Sequence, residues 1–344
     1  MIFKDIDSTK DLRINGWNYS SNFLSEKLQK NEMVHLLAET SNICNFDCEY
    51  CYTVAYHVKN TKFHLKKLPN ELFLKERLNL IDQAVKLGAI TYDVVGAGEP
   101  LLDPDLFFQL EYAVKRGLTP VLFTNGLILN QSHIDRLWDL GTSVVVKWHS
   151  KDHKIHDEIV RRKGAGKKRD GAIEMLIKKG FNGAKPTRLG LDNVIYNKTV
   201  NELPYFLEMC RKENLFPICS TFIPAGRTRK GSGDELRPEE IINIFKKAQT
   251  IDKEKFGISH SSKMPYFGLG KTCTQYFGLY INIQGEIYGC PGQLESYGNI
   301  REQSLKNIWF KRLKILQDYD CGCPPRKIFY SAKRDSKRFI AEMF

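Results

Sequence analysis

Hydrophobic and polar positions follow two periods along this chain. Residues 34–40 form a short apolar run that reads as a strand. Residues 70–87 carry Leu74, Leu78, Ile81 and Val85 on one helical face, with Gly88 as the stop. The alternation then repeats. Residues 89–95 read as a strand, and Asp103–Pro104 reads as a helix start, an N-cap followed by proline at the first helical position. Leu106, Leu110, Ala113 and Val114 continue that helix until Gly117. Further strands are expected at 121–124, 143–148, 188–195 and 216–222, and helices at 132–140, 170–179, 201–213 and 238–249. Regular strand–helix alternation argues for a parallel sheet with helices outside. Six such units are too few for an eight-fold barrel. The expected fold class is therefore α/β, a partial (β/α)6 TIM-like barrel.

The pattern changes after residue 251. Residues 252–270 show little periodicity and read as a connector. Residues 278–283 and 286–288 flank Gly285 as a β-hairpin, and 304–317 read as one helix. The expected organisation is an N-terminal extension (1–32), the barrel (33–251), a small cysteine-bearing hairpin-plus-helix domain (252–330) and a basic tail (331–344).

Composition narrows the class. Hydrophobic residues are 42% and charged residues 27% of the 344, ordinary for a globular protein. No apolar run approaches the roughly 18–20 residues that span a bilayer, and the first ten residues lack the apolar core of a signal peptide. A cytoplasmic protein without a membrane partner is expected. The net charge of +12 is densest at 59–67 and 151–169. Such runs are either solvated faces or a field that draws an anionic substrate.

Nine cysteines are too few for a disulfide scaffold of this length, and clustered cysteines in a cytosolic enzyme point to metal or redox chemistry. Cys210 lies in a helical pattern and Cys219 in a strand, and both read as buried structural thiols. Cys44, Cys48 and Cys51 sit just after the first strand. Thiolates ligate iron–sulfur clusters, and a cubane takes four ligands. Three close cysteines leave one iron open to a substrate or cofactor. The alternative is a structural zinc site that borrows a fourth ligand such as His57.

Cys44-x3-Cys48-x2-Cys51, with Tyr50 before the last cysteine, resembles the radical S-adenosylmethionine (SAM) superfamily. The resemblance implies a [4Fe–4S] cluster whose open iron is chelated by SAM, and reductive cleavage of SAM to a 5′-deoxyadenosyl radical. It places Tyr50 against the adenine. Gly96-Ala97-Gly98-Glu99-Pro100 follows the second strand and resembles the family's Gly-Gly-Glu-Pro motif, which takes the methionine amino group of SAM. Ala97 departs from the commonest form but stays small. Asn125 in Thr124-Asn125-Gly126, Lys147 at the end of strand four, and Asn193 and Asn197 near the end of strand five also match segments that face SAM. Pro224-Ala-Gly-Arg227 follows strand six. All lie at strand C-terminal ends, where parallel barrels carry their sites.

Cys273, Cys290, Cys321 and Cys323, with Gly285 five residues before Cys290, resemble the SPASM and twitch extensions of that superfamily. Four cysteines suffice for one auxiliary [4Fe–4S] cluster, so the shorter twitch form fits better. Cys321-x-Cys323 departs from the usual two-residue spacing. A four-thiolate zinc site is the alternative.

Three functions are consistent with these residues. The first is oxidation of a small polar metabolite, with the auxiliary cluster accepting the second electron. The second is crosslinking or epimerisation of a ribosomally made peptide. The third is a metal-stabilised nucleic-acid-binding protein, which the strand-end motifs argue against. The expected partners are a small-molecule or peptide substrate and a reductant such as flavodoxin or ferredoxin; a nucleic acid is not expected. Glu39, His149, Asp192 and Arg227 lie near the strand ends, and no catalytic acid or base is assigned among them.

Overall fold

The computed structural model describes residues 12–53, 66–221, 226–228, 235–259, 277–291 and 295–316. Nine strands make one sheet: β1 (His35–Glu39), β2 (Thr91–Val95), β3 (Thr119–Thr124), β4 (Ser143–Lys147), β5 (Leu189–Ile195), β6 (Phe216–Thr221), β7 (Gly278–Ile281), β8 (Glu286–Tyr288) and β9 (Gly298–Asn299). Their order is β6-β5-β4-β3-β2-β1-β7-β8-β9. The first six are mutually parallel, in register from Glu39 opposite Val95 to Lys147 opposite Asp192. The sheet does not close, so the fold is the open, partial barrel that six units imply.

The helices are α1 (Ser21–Gln29), α2 (Leu74–Lys86), α3 (Leu106–Lys115), α4 (Gln131–Asp139), α5 (His153–Val160), α6 (Ala165–Lys179), α7 (Leu203–Lys212), α8 (Pro238–Phe256) and α9 (Leu305–Leu316). Successive strand residues point to opposite faces. Leu36, Ala38, Leu122, Val144 and Val146 accordingly pack under the helices, while Val121, Val145, Phe216 and Ile218 line the inner face.

That inner face is filled by residues from the N-terminal segment. Ile14 bridges in parallel to Thr187. Trp17 donates its indole N–H to Asp93 Oδ1 at 2.6 Å, and Tyr19 donates its hydroxyl to Thr91 at 2.8 Å. The other Asp93 oxygen meets His35 Nδ1 at 2.5 Å. Residues 12–32 therefore plug the N-terminal ends of the strands and leave the C-terminal ends for a site. α1 begins where Ser20 accepts a hydrogen bond from Phe23 N, a side-chain cap.

Three local expectations change. α5, inside the 151–169 basic run, has no counterpart in the predicted pattern, because the charged residues that line its outer face hide the short stripe of His156, Ile159 and Val160. α3 starts at Leu106 and not at Pro104: the Asp103 carboxylate accepts from Asp105 N at 3.1 Å and meets Arg77 at 2.5 Å, which holds Asp103 in the preceding turn. α8 runs to Phe256, into the expected connector, and ends at Gly257 with φ +66°.

The hairpin around Gly285 forms as expected, but it is joined to the main sheet, since β7 pairs in parallel with β1. Among the described residues no helix is long and apolar enough to cross a membrane.

Candidate active site

The loop after β1 carries the three cysteines, and the turn after β2 is bonded directly onto it. Gly98 N donates to Ser41 O at 2.8 Å and Glu99 N to Ile43 O at 2.7 Å. A Cβ at Gly98 would lie 2.0 Å from Ile43 O, so only glycine lets the two backbones approach this closely. A Cβ at Gly96 would lie 1.6 Å from Gly98 O. Thr53 completes the junction: its hydroxyl donates to Ala97 O at 2.7 Å and lies 3.2 Å from Cys51 Sγ.

Glu99 is buried beneath this junction. It accepts hydrogen bonds from Thr124 Oγ1 at 2.6 Å, Asn125 N at 2.7 Å and Leu101 N at 3.2 Å. Burial pushes its carboxyl up to about 7, against the lowering by these three donors. A carboxylate offers about four lone-pair sites, so one more donor, such as an ammonium, can be accommodated. Pro100 opens the short helical turn Pro100–Leu102 that follows. Asn125 ties the end of β3 to the cysteine loop by donating Nδ2 to Asn45 Oδ1 at 2.7 Å.

Across the loop, Tyr50 Oη lies 2.6 Å from His149 Nε2. The Tyr50 ring stands 6.5 Å from that of Tyr196, whose hydroxyl donates to Glu49 at 2.7 Å. Lys147, the last residue of β4, forms an ion pair with Asp192 in the middle of β5. Asn193 shares the outer face of β5 with Leu191 and Ile195, opposite Cys219, so the fold does not bring its side chain to the inner mouth with the others.

The cysteine loop sits on an apolar bed of Phe46, Ile159, Val160, Val194 and Tyr196, against which Cys44, Cys48 and Tyr50 pack. Burial raises the Cys44 thiol and pushes Cys48 up to about 12, while the charges of Lys147 and Arg227 ease its ionisation. Thiols in such a bed ionise when a cationic metal centre takes them as ligands. Among the described residues no three His, Cys, Asp or Glu side chains converge on a single metal ion. Nearby, Asn45 Nδ2, His149 Nδ1 and Asp192 Oδ1 are buried without a hydrogen-bond partner among the described residues, polar atoms that suit a polar ligand. The three-cysteine loop and its surroundings thus fit a cluster with a polar cofactor beside it.

Two neighbours carry weight that the motifs do not reveal. Arg227, after β6, binds the cysteine loop through both backbone and guanidinium. Glu39, at the end of β1, is buried; it accepts from the Tyr280 hydroxyl and from Ile283 N at 3.1 Å, and burial pushes it up to about 7. A carboxylate closing an otherwise apolar strand is the signal that marks it.

Cys290 is half-buried just after β8. Cys273, Cys321 and Cys323 lie outside the described residues, as do His57 and the basic tail. Cys210 and Cys219 are buried, as their patterns predict, and burial raises both thiols.

Comparison with known proteins agrees with this geometry. The AdoMet-dependent heme synthase of Methanosarcina barkeri is 24% identical over 83% of this chain and 86% of its own length. The PqqA peptide cyclase of Granulibacter bethesdensis is 27% identical over 50% of this chain and 42% of its own. Among solved structures, Streptococcus suis SuiB bound to its precursor peptide SuiA superposes with a TM-score of 0.61 at 14% identity, covering 83% of this chain and 67% of that one. The family model described as Radical SAM superfamily matches residues 38–210, half of the chain. That span runs from the end of β1 through α7 and contains the cysteine loop, Glu99 and the β3–β5 ends, and this chain belongs to the radical SAM superfamily.

Proposed function

We propose that this chain is a radical SAM oxidoreductase that dehydrogenates a small polar metabolite. The observation that carries the reading is the junction at the strand ends. The cysteine loop, the Gly96–Pro100 turn and Asn125 are hydrogen-bonded into one surface around a buried carboxylate. When bound, a [4Fe–4S] cluster and SAM supply a 5′-deoxyadenosyl radical that takes a hydrogen atom from substrate.

The chain's own residues do the rest. Cys44, Cys48 and Cys51 hold the cluster. Glu99 receives the amino group of SAM, with Gly96, Gly98 and Pro100 shaping the backbone around it. Tyr50, steadied by His149, lies against the adenine. Asn125 and Lys147 bind polar groups at the inner mouth. Cys290, with Cys273, Cys321 and Cys323, would hold an auxiliary [4Fe–4S] cluster, which would supply a one-electron acceptor. A flavodoxin or ferredoxin reduces the first cluster.

The extent of the matches favours a small molecule. One relative that aligns along most of both chains is named for heme synthesis, whereas the peptide cyclase aligns along half of this one. Peptide maturation is the second reading, supported by that cyclase and by the shared fold of SuiB.

Anaerobic reconstitution followed by a 5′-deoxyadenosine assay with SAM and dithionite tests the proposal. About eight irons per chain with 5′-deoxyadenosine formed are expected. About four irons with bound zinc would make the C-terminal site structural, and no SAM cleavage at full iron load would refute the assignment.

A further inference from the structure

The sheet edge at β6 is bound to the cysteine loop by the two residues Gly226 and Arg227. Gly226 has φ +61°, and a Cβ there would lie 2.2 Å from Cys51 O. Arg227 N donates to the same carbonyl at 3.0 Å. Its Nη1 donates to Asp47 O at 2.5 Å and to Cys48 O at 2.6 Å, and its Nη2 donates to the Asp47 carboxylate. The Arg227 side chain is 17% exposed. By contrast, Arg161 reaches Asp47 at 3.5 Å from a side chain 50% exposed.

We propose that Arg227 is a positioning residue that fixes the cysteine loop and sets the reduction potential of the cluster held there. The inference rests on the reading of Cys44, Cys48 and Cys51 as ligands of a redox cluster. Two backbone carbonyls of that triad are bonded by Arg227, that of Cys48 by the guanidinium and that of Cys51 by the backbone N–H. Reduction brings one electron from an external carrier, which is oxidised by one electron; no bond is made or broken. The added negative charge is stabilised by a guanidinium fixed in a poorly solvated place, where charges act more strongly than in water. Asp47 opposes this effect. Cluster potentials respond to net charge and hydrogen bonding in this way.

The two members of the pair give opposite predictions. Arg227→Gln removes the buried positive charge and leaves Asp47 facing only the half-exposed Arg161 at 3.5 Å, so the cluster becomes harder to reduce. Asp47→Asn removes the negative charge, so it becomes easier. A merely structural role moves both in one direction. The experiment is a redox titration of the reconstituted full chain, monitored by electron paramagnetic resonance on the signal that SAM perturbs.

Arg227→Gln should lower the reduction equilibrium constant about tenfold, equivalent to about 59 mV for a one-electron couple. Asp47→Asn should raise it about threefold, and Arg227→Lys, which keeps the charge, should stay within about threefold of the parent. An unchanged midpoint in Arg227→Gln at full iron load, or a fall in both variants, overturns the inference. If Arg227→Gln fails to load iron, Asp47→Asn decides: a midpoint that does not rise overturns it. A parent protein whose iron signal ignores SAM sinks the cluster reading, and this inference with it.

Discussion

Gly98→Ala is the sharpest test of how the site is assembled. The new methyl carbon would stand 2.0 Å from Ile43 O, 2.5 Å from Ile43 C and 2.7 Å from Asn42 C, all backbone atoms that no rotamer change can move. Ordinary contact begins near 3.4 Å, so the turn and the cysteine loop must separate by about 1.4 Å. The bonds Gly98 N to Ser41 O and Glu99 N to Ile43 O, now 2.8 and 2.7 Å, would then exceed any hydrogen-bonding distance. Each loss costs about 1–2 kcal/mol in a buried setting, for a total of about 2–4 kcal/mol. That should lower the melting temperature by about 3–6 °C and weaken SAM binding, because Glu99 moves with the turn.

The assay is thermal unfolding of the anaerobic protein beside SAM binding by calorimetry. Gly117→Ala is the control: with φ +83° and nothing within 4 Å, it should cost only about 1–2 kcal/mol of backbone strain and leave SAM affinity alone. If Gly98→Ala matches the parent in both stability and SAM affinity, the close approach does not hold the site together.

Further outcomes follow from the same geometry. Cys51→Ala should abolish 5′-deoxyadenosine formation while iron persists at the C-terminal site, measured by iron analysis and product chromatography; parent-level product would overturn the ligand assignment. Burial pushes Glu39 up to about 7 from 4.5, so between these values the folded chain holds a proton that the unfolded chain has released. Stability is then fully present below about 4.5 and falls as pH rises through about 7. Glu39→Gln should flatten part of that fall in urea midpoints, the remainder coming from Glu99, which burial raises in the same way; an unaltered slope would refute the contribution. Trp17→Ala empties the inner plug and breaks its bond to Asp93, and should cost about 3–5 kcal/mol in urea unfolding. Loss of under 1 kcal/mol would show that the plug is dispensable.

The barrel was legible because each unit announces itself locally. The six parallel strands are apolar runs, and Gly88, Gly117, Gly141 and Gly180 stop the helices between them. The strand-end motifs were legible because Cys44, Cys48, Cys51 and Glu99 keep fixed spacing. What escaped depends on distant partners. Trp17 reads as one aromatic in an unpatterned segment until β2 supplies Asp93. Arg227 reads as a strand-end residue from the sequence, but its partner Asp47, 180 positions away, is visible only in the fold. Asn193 resembles the family's cofactor-facing asparagine, and its strand position beside Leu191 and Ile195 emerges only from the β5 register. α5 stayed hidden because its apolar stripe is two turns long.

The parallel pairing of β1 with β7 has a consequence for how the chain folds. His35 to Ala38 find their second neighbour only at Gly278 to Ile281. Such distant pairing carries a large loop-closure cost and slows folding. During synthesis the cysteine loop hangs from a strand with one edge open until Gly278–Ile281 have emerged, and an open edge invites pairing with another chain. Early in the protein's life the segment that would receive iron is thus also the segment most exposed to misassembly, and completion of β7 is the event that protects it.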